Sequence, residues 1–144
     1  ELERLKRIAK AEGVYDDPRF RDQIALLEVD VVALEMLVLR VLSAEKSGKQ
    51  SLDIAGLLKI RGSEIQQRYT ELMMQAAGPF SVPCMLEAME AGWQGDAALG
   101  GAWPGGATHC APLAGTYFNY RKTTIYGGSN EVQRNIVSQT VLGA

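Results

Sequence analysis

The chain is short of the residues that most catalytic and metal-binding patterns need. It has one histidine, His109. A di-iron helical bundle needs inward-facing Glu-x-x-His pairs, and the residue three before His109 is Gly106. A Ser/His/Asp or Cys/His arrangement would rest on the same residue, which sits in a Gly-rich stretch. The expectation is an exposed loop histidine and no metal site. There are two cysteines, Cys84 and Cys110. They could pair, but two thiols in a chain of this size make no disulfide framework, and reduced thiols in the cytoplasm are expected. The net charge is only −2, so there is no general electrostatic case for nucleic acid or an anionic membrane surface. Charges interrupt every apolar run before it reaches bilayer-spanning length. No secretory signal pattern and no internal repeat is visible.

What the chain does have is helical spacing. It is 47% hydrophobic and 22% charged over 144 residues, ordinary for a globular protein and enough for one domain with a core. Leu2, Leu5, Ile8 and Ala9 repeat at helical intervals until Gly13. Asp16-Asp17-Pro18 is a restart signal, an acidic cap followed by Pro at the first helical position. From there Ile24, Leu27, Val31, Leu34, Val38 and Val41 recur by threes and fours. Leu26, Val32, Leu37, Leu39 and Leu42 widen the stripe, so this helix is expected to pack on more than one side. After a turn at 47–50, Ser51 or Asp53 caps a third helix whose inner face is Ile54, Leu58, Ile65, Tyr69, Leu72, Met73 and Ala76. Gly56 and Gly62 lie inside it, and Gly78-Pro79 stops it.

Residues 79–123 read as a long Gly/Pro-rich loop, with one short helix around Met85, Leu86 and Met89. Trp93, Trp103, Tyr117, Phe118 and Tyr120 are expected to anchor it. Long helices near 18–46 and 52–77, a shorter one before them and a last one from about 130 predict an all-α, up-and-down four-helix bundle, a single domain over 1–144.

The most informative stretch runs from Thr124 to Val137. Gly127 and Gly128 allow a sharp turn. Asn130 is a good N-cap, and Gln133 three residues on completes a capping box. Val132, Ile136, Val137, Thr140 and Val141 then give an apolar helical face that stops at Gly143. A glycine turn feeding a capped helix offers backbone N–H groups and the positive dipole end, which suit a polar part of a cofactor. By itself this is a turn and a helix start.

The string Ile125-Tyr126-Gly127-Gly128-Ser129-Asn130-Glu131-Val132-Gln133-Arg134-Asn135-Ile136-Val137, closing with Val141-Leu142-Gly143, resembles the C-terminal signature of the acyl-CoA dehydrogenase family. That resemblance implies a helical C-terminal domain of an FAD-dependent oxidoreductase of fatty acid metabolism, converting acyl-CoA to 2,3-enoyl-CoA. It covers essentially the whole chain but only the last third or so of a family member. Glu1 opens directly into a charged helical pattern, and we read the chain as a piece of a longer protein.

The resemblance also implies roles for individual residues. Ser129, Asn130 and Glu131 match the family's FAD-contacting triplet. Gln75 and Gly78 match a motif that touches the flavin nucleotide of a neighbouring subunit, with Pro79 where a second Gly often stands. Tyr126 and Gly127 would border the substrate thioester. At the position of Gly127 many members carry the glutamate that takes the α-proton, so this chain supplies no catalytic residue there. Some branches carry the base on a preceding helix, and others carry a subunit without one. Gln139 stands where a basic residue is frequent, and the family's Arg-x-x-Phe-Gly stretch is missing between Glu12 and Pro18. The expected partners are an acyl-CoA substrate, an acceptor of the electron-transfer flavoprotein type, and further subunits, identical or different. The competing reading is a non-catalytic helical subunit or interaction module of a heteromeric complex.

Overall fold

A computed structural model describes residues 1–46, 52–90 and 108–143. There are five α-helices, α1 (Leu2–Ala11), α2 (Pro18–Lys46), α3 (Leu52–Ala77), α4 (Leu113–Tyr120) and α5 (Asn130–Leu142), with short 3-10 turns between α3 and α5 and no strand among the described residues. The fold is all-α, as the apolar spacing predicts. The helix limits follow from local chemistry. Gly13 takes φ +72°, and the following N–H of Val14 reaches back to the Ala9 carbonyl at 3.0 Å, so α1 closes in a left-handed cap. The Asp17 carboxylate accepts from the Arg19 N–H at 2.8 Å, with Pro18 as the first helical residue. Gly78 (φ +57°) and Gly143 (φ +68°) end α3 and α5.

The residues cluster into two compact units. Unit 1 holds 1–25 and 67–121; unit 2 holds 26–66 and 122–144. Unit 1 is built on Leu5, Ile8 and Ala9 of α1, Phe20 and Ile24 of α2, Leu72, Met73 and Ala76 of α3, and Leu113 and Ala114 of α4, all buried. Polar pairs fix α3 against the end of α4. The Gln67 amide donates to the carbonyls of Tyr120 and Arg121 at 3.3 and 3.1 Å. The Arg121 guanidinium in turn donates to the Gln67 carbonyl at 2.9 Å. The two bonds from Gln67 satisfy carbonyls that the end of α4 leaves open.

The stretch 79–123 departs from the loop reading. It contains α4, an eight-residue helix, whereas around Met85–Met89 only a 3-10 turn, Glu87–Met89, forms. Gly115 lets α4 approach this turn: a Cβ there would lie 2.7 Å from Met89 Cγ and Sδ. The expected aromatic anchors act unequally. Phe118 is 63% exposed, and Cys110, Ala111, Leu113 and Ala114 provide the buried contacts instead. Trp93 and Trp103 lie outside the described residues.

In unit 2, Leu27, Ile60 and Ile65 are buried. Part of the wide stripe on α2 is exposed: Leu26, Val32, Val38, Leu39 and Leu42, with Val29 and Met36 beside them, Leu26 by 68%. The α5 face is also open, with Val132, Ile136 and Val141 exposed. Among the described residues, these α2 positions stay open. A surface chain of ion pairs runs across the unit, Asp30 to Arg61 at 2.5 Å, Arg61 to Glu64 at 2.9 Å, and Glu64 to Arg134 at 3.1 Å. Exposed pairs of this kind stabilise by about 0–1 kcal/mol each.

The two interior glycines of α3 differ. A Cβ on Gly56 would meet Val137 Cγ2 at 2.8 Å and the Gln133 amide oxygen at 3.2 Å, whereas a Cβ on Gly62 would meet nothing within 4 Å. Gly62→Ala is expected to stabilise by about 0.5–1 kcal/mol through helix propensity. Gly56→Ala has the same gain but loses about 1–3 kcal/mol to overpacking against a stiff β-branched side chain. Urea midpoints of the two variants check this; equal midpoints would mean that α5 does not press on Gly56.

Candidate functional site

The turn before α5 is built by its glycines. Gly127 and Gly128 take φ +67° and +86°, a region that strains other L-residues. The 3-10 turn Arg121–Thr124 leads into it, closed by the Ile125 N–H donating to the Lys122 carbonyl at 2.9 Å. Gly128 is needed for space as well: a Cβ would fall 2.6 Å from Gln133 Nε2. The Gln133 side chain thus lies against both Gly128 and Gly56.

The cap of α5 is displaced by one residue from the sequence reading. Ser129 is the N-cap, and its hydroxyl accepts from the Val132 N–H at 3.3 Å. Asn130 is the first helical residue, and the expected capping box with Gln133 does not form. The reason is tertiary. Asn130 is 3% exposed, held by Lys59 Nζ donating to its Oδ1 at 2.6 Å and by its Nδ2 donating to Ser63 Oγ at 3.1 Å. Ser63 in turn donates to the Ile60 carbonyl at 2.8 Å. With Asn130 drawn inward, Ser129 is left at the cap position. Glu131 is exposed. A hydrogen bond from its own backbone N–H, with the Ser129 hydroxyl adding to it, holds its carboxyl below the usual carboxylate range.

Tyr126 and Gly127 line a cavity of about 330 Å³. Opposite them α3 contributes Lys59, Gly62, Ser63 and Gln66, and Thr123 closes one side. The sequence reading missed these α3 residues. Their signal was present: 59, 62, 63 and 66 follow helical spacing on a face other than the apolar one. Among the expected site residues, unit 2 brings Tyr126, Gly127, Ser129, Asn130 and Glu131 together on one turn. Gln75 and Gly78 belong to unit 1, Gln75 exposed near the end of α3 and Gly78 at its left-handed cap. The cavity has a cationic Lys59 and hydroxyl and amide groups on one wall, and an exposed aromatic and a glycine on the other. Such a wall suits a substrate with a carbonyl and an apolar body. Gly127 offers it no carboxylate.

His109 is not the exposed loop residue expected. Its Nε2 shares a 2.6 Å hydrogen bond with the Glu12 carboxylate, within unit 1. Cys84 is exposed and Cys110 buried, and they form no disulfide. No helix among the described residues is long and apolar enough to cross a membrane.

An all-helical fold with a paired-glycine turn opening its last helix is common to many proteins, and comparison assigns the family. Residues 3–142 match the family described as acyl-CoA dehydrogenase, C-terminal domain, and the chain belongs to that family. A curated relative, acyl-CoA dehydrogenase IpdE1 of Mycolicibacterium smegmatis (strain ATCC 700084 / mc(2)155), is 27% identical over 139 residues, which are 96% of this chain and 29% of that protein. The solved Tcur3481-Tcur3483 steroid ACAD superposes with a TM-score of 0.72 at 20% identity, covering 99% of this chain and 33% of its own. Its G363A variant gives 0.71 at 20% identity, with the same coverage. The structural likeness is one of fold. The chain spans about a third of the length of these relatives.

Proposed function

We propose that this chain is the C-terminal domain of an FAD-dependent acyl-CoA dehydrogenase that oxidises an acyl-CoA thioester to the 2,3-enoyl-CoA. The observation that carries the reading is the Gly127-Gly128 turn, which sets the Ser129-capped start of α5 beside the cavity lined by Tyr126 and Gly127. Bound FAD would supply the acceptor for the β-hydride. The chain's own residues divide the remaining work. Tyr126 and Gly127 border the thioester, with the α3 residues Lys59, Gly62 and Gln66 as the facing wall. Ser129 and Glu131, accessible at the helix start, fit a polar part of FAD. Asn130, buried and bonded to Lys59 and Ser63, fits a supporting role behind them better than direct contact. Gln75 and Gly78 meet the flavin nucleotide of a neighbouring subunit. With glycine at 127, the α-proton goes to a carboxylate supplied by another part of the longer protein. Electrons pass on to an acceptor of the electron-transfer flavoprotein type. The exposed apolar faces of α2 and α5 are assembly surfaces, since patches of this kind mark interfaces.

A second reading has specific support: a subunit without its own base in a heteromeric enzyme. Gly127 favours it, as does the pairing of two named components, Tcur3481 and Tcur3483, in the solved steroid ACAD. The full-length protein should be purified, its flavin spectrum recorded, and the protein titrated anaerobically with straight-chain and steroid-bearing acyl-CoA thioesters. Expected are a bound flavin bleached by one of them, lower FAD retention in Ser129→Ala, and a dimer or larger species by light scattering. Bleaching only after a second subunit is added would establish the second reading. A protein that takes up no FAD, alone or with a partner, would overturn both.

A further inference from the structure

Glu12, His109 and Cys110 are brought together in unit 1 from segments 97 residues apart. Their ligand atoms, one carboxylate oxygen, an imidazole nitrogen and a sulfur, all lie within 4.8 Å of one another. Glu12 Oε1 is 2.6 Å from His109 Nε2 and 3.9 Å from Cys110 Sγ. Cys110 is 0% exposed, and the side chains of Glu12 and His109 are 19% and 30% exposed. Nothing in the proposed acyl-CoA chemistry uses these groups.

We propose that Glu12, His109 and Cys110 bind a divalent transition metal, with Zn²⁺ the best fit, and that the ion ties the end of α1 to the turn at Thr108–Cys110. The donor set selects the metal. Thiolate and imidazole exclude Mg²⁺ and Ca²⁺, which take oxygen ligands, and with a carboxylate they are standard zinc donors. The geometry is close. A tetrahedral ion with bonds of about 2.0–2.3 Å spaces its ligand atoms roughly 3.3–3.5 Å apart. From 2.6 Å the Glu12–His109 pair must open by about 0.7 Å, and the sulfur, within 4.8 Å of the other two atoms, must close in by up to about 1.3 Å, a shift within reach of side-chain rotation. Charge also balances: one thiolate and one carboxylate cancel the dication, so the part-buried site gains no net charge, which burial would penalise.

Three protein ligands leave a fourth position. A cavity of about 120 Å³ lined by Arg4, Arg7, Ile8, Ala11 and His109 adjoins the cluster, room for a water. The guanidiniums of Arg4 and Arg7 there would favour hydroxide or another anion as the fourth ligand. On binding, the Cys110 thiol gives its proton to solvent and the Glu12–His109 hydrogen bond is exchanged for two metal bonds. Affinity therefore falls as pH is lowered, because protons compete for sulfur and imidazole.

The test uses the full-length protein carrying Cys84→Ser, titrated with Co²⁺ and then with Zn²⁺. The expected result is a thiolate-to-cobalt charge-transfer band that Zn²⁺ abolishes, and a Zn²⁺-dependent rise in melting temperature. Cys110→Ala should remove the band, and His109→Asn and Glu12→Gln should each weaken Zn²⁺ by at least about tenfold, since even outer-shell losses reach that size. Circular dichroism checks folding; if Cys110→Ala does not fold, Glu12→Gln, close in size to the original, decides. A cobalt spectrum or Zn²⁺-dependent melting shift unchanged in Cys110→Ala, or in Glu12→Gln where that variant decides, would overturn the site. So would the absence of any metal-dependent shift in the parent. None of these readouts involves flavin.

Discussion

In the full-length protein, Gly127→Glu is expected to lower the rate of flavin bleaching by acyl-CoA at neutral pH by about tenfold or more, and to move the pH profile upward. On the proposed reading, two carboxylates would stand near one thioester, the introduced one and a base supplied by another part of the longer protein. Each disfavours ionisation of the other, so the pKa of the working base rises. A general base acts only when unprotonated, so activity is lost below the raised pKa and recovered as pH climbs through it. The site has room for the side chain: a Cβ at Gly127 meets nothing within 4 Å. The backbone is less tolerant, because φ is +67° and an L-residue there is strained by about 1–2 kcal/mol. Gly127→Asn is the control, since asparagine adopts this conformation more readily and brings no carboxylate. If the wild-type protein has no base, the same Gly127→Glu variant should create bleaching where there was none. A folded, FAD-loaded Gly127→Glu protein with an unchanged rate and profile would show that Gly127 does not face the substrate.

Leu72→Ala is expected to destabilise the fold by about 2–5 kcal/mol. Leu72 is 0% exposed, in a unit that also buries Leu5, Met73 and Leu113. Truncation removes the transfer free energy of three carbons and leaves a cavity that rigid neighbours fill only in part. A total stability of about 5–15 kcal/mol makes this a large fraction. Leu39→Ala on α2 is the comparison. Leu39 is 56% exposed, and in the dissociated chain its truncation should stay within about 0.5 kcal/mol. Urea unfolding with unchanged m-values reads both. A Leu72→Ala loss below about 1 kcal/mol would mean that the core relaxes around the site. A large Leu39→Ala effect confined to the assembled protein would mark α2 as an interface.

Sequence by itself determined the helices that local chemistry controls. α2 and α3 run over the residues their spacing predicts because Asp17-Pro18 and Gly78-Pro79 start and stop a helix through atoms a few bonds away. Gly13 and Gly143 act in the same way. The family was also legible, since the signature from Ile125 to Val137 is contiguous. What lay beyond local chemistry was decided by tertiary contact. Asn130 and Ser129 are both good caps, and the choice fell to Ser129 because Lys59 and Ser63, far away in sequence, hold Asn130 inside. α4 was hidden among glycines; it is stabilised by the burial of Leu113 and Ala114 and by the fit of Gly115 against Met89. The width of the α2 stripe was readable, but burial is a property of whatever lies opposite, and among the described residues Leu26, Val32, Leu39 and Leu42 of that stripe stay exposed. Glu12 and His109 had no spacing that linked them, because their 2.6 Å hydrogen bond exists only once α1 and the turn at Thr108–Cys110 have folded into the same unit.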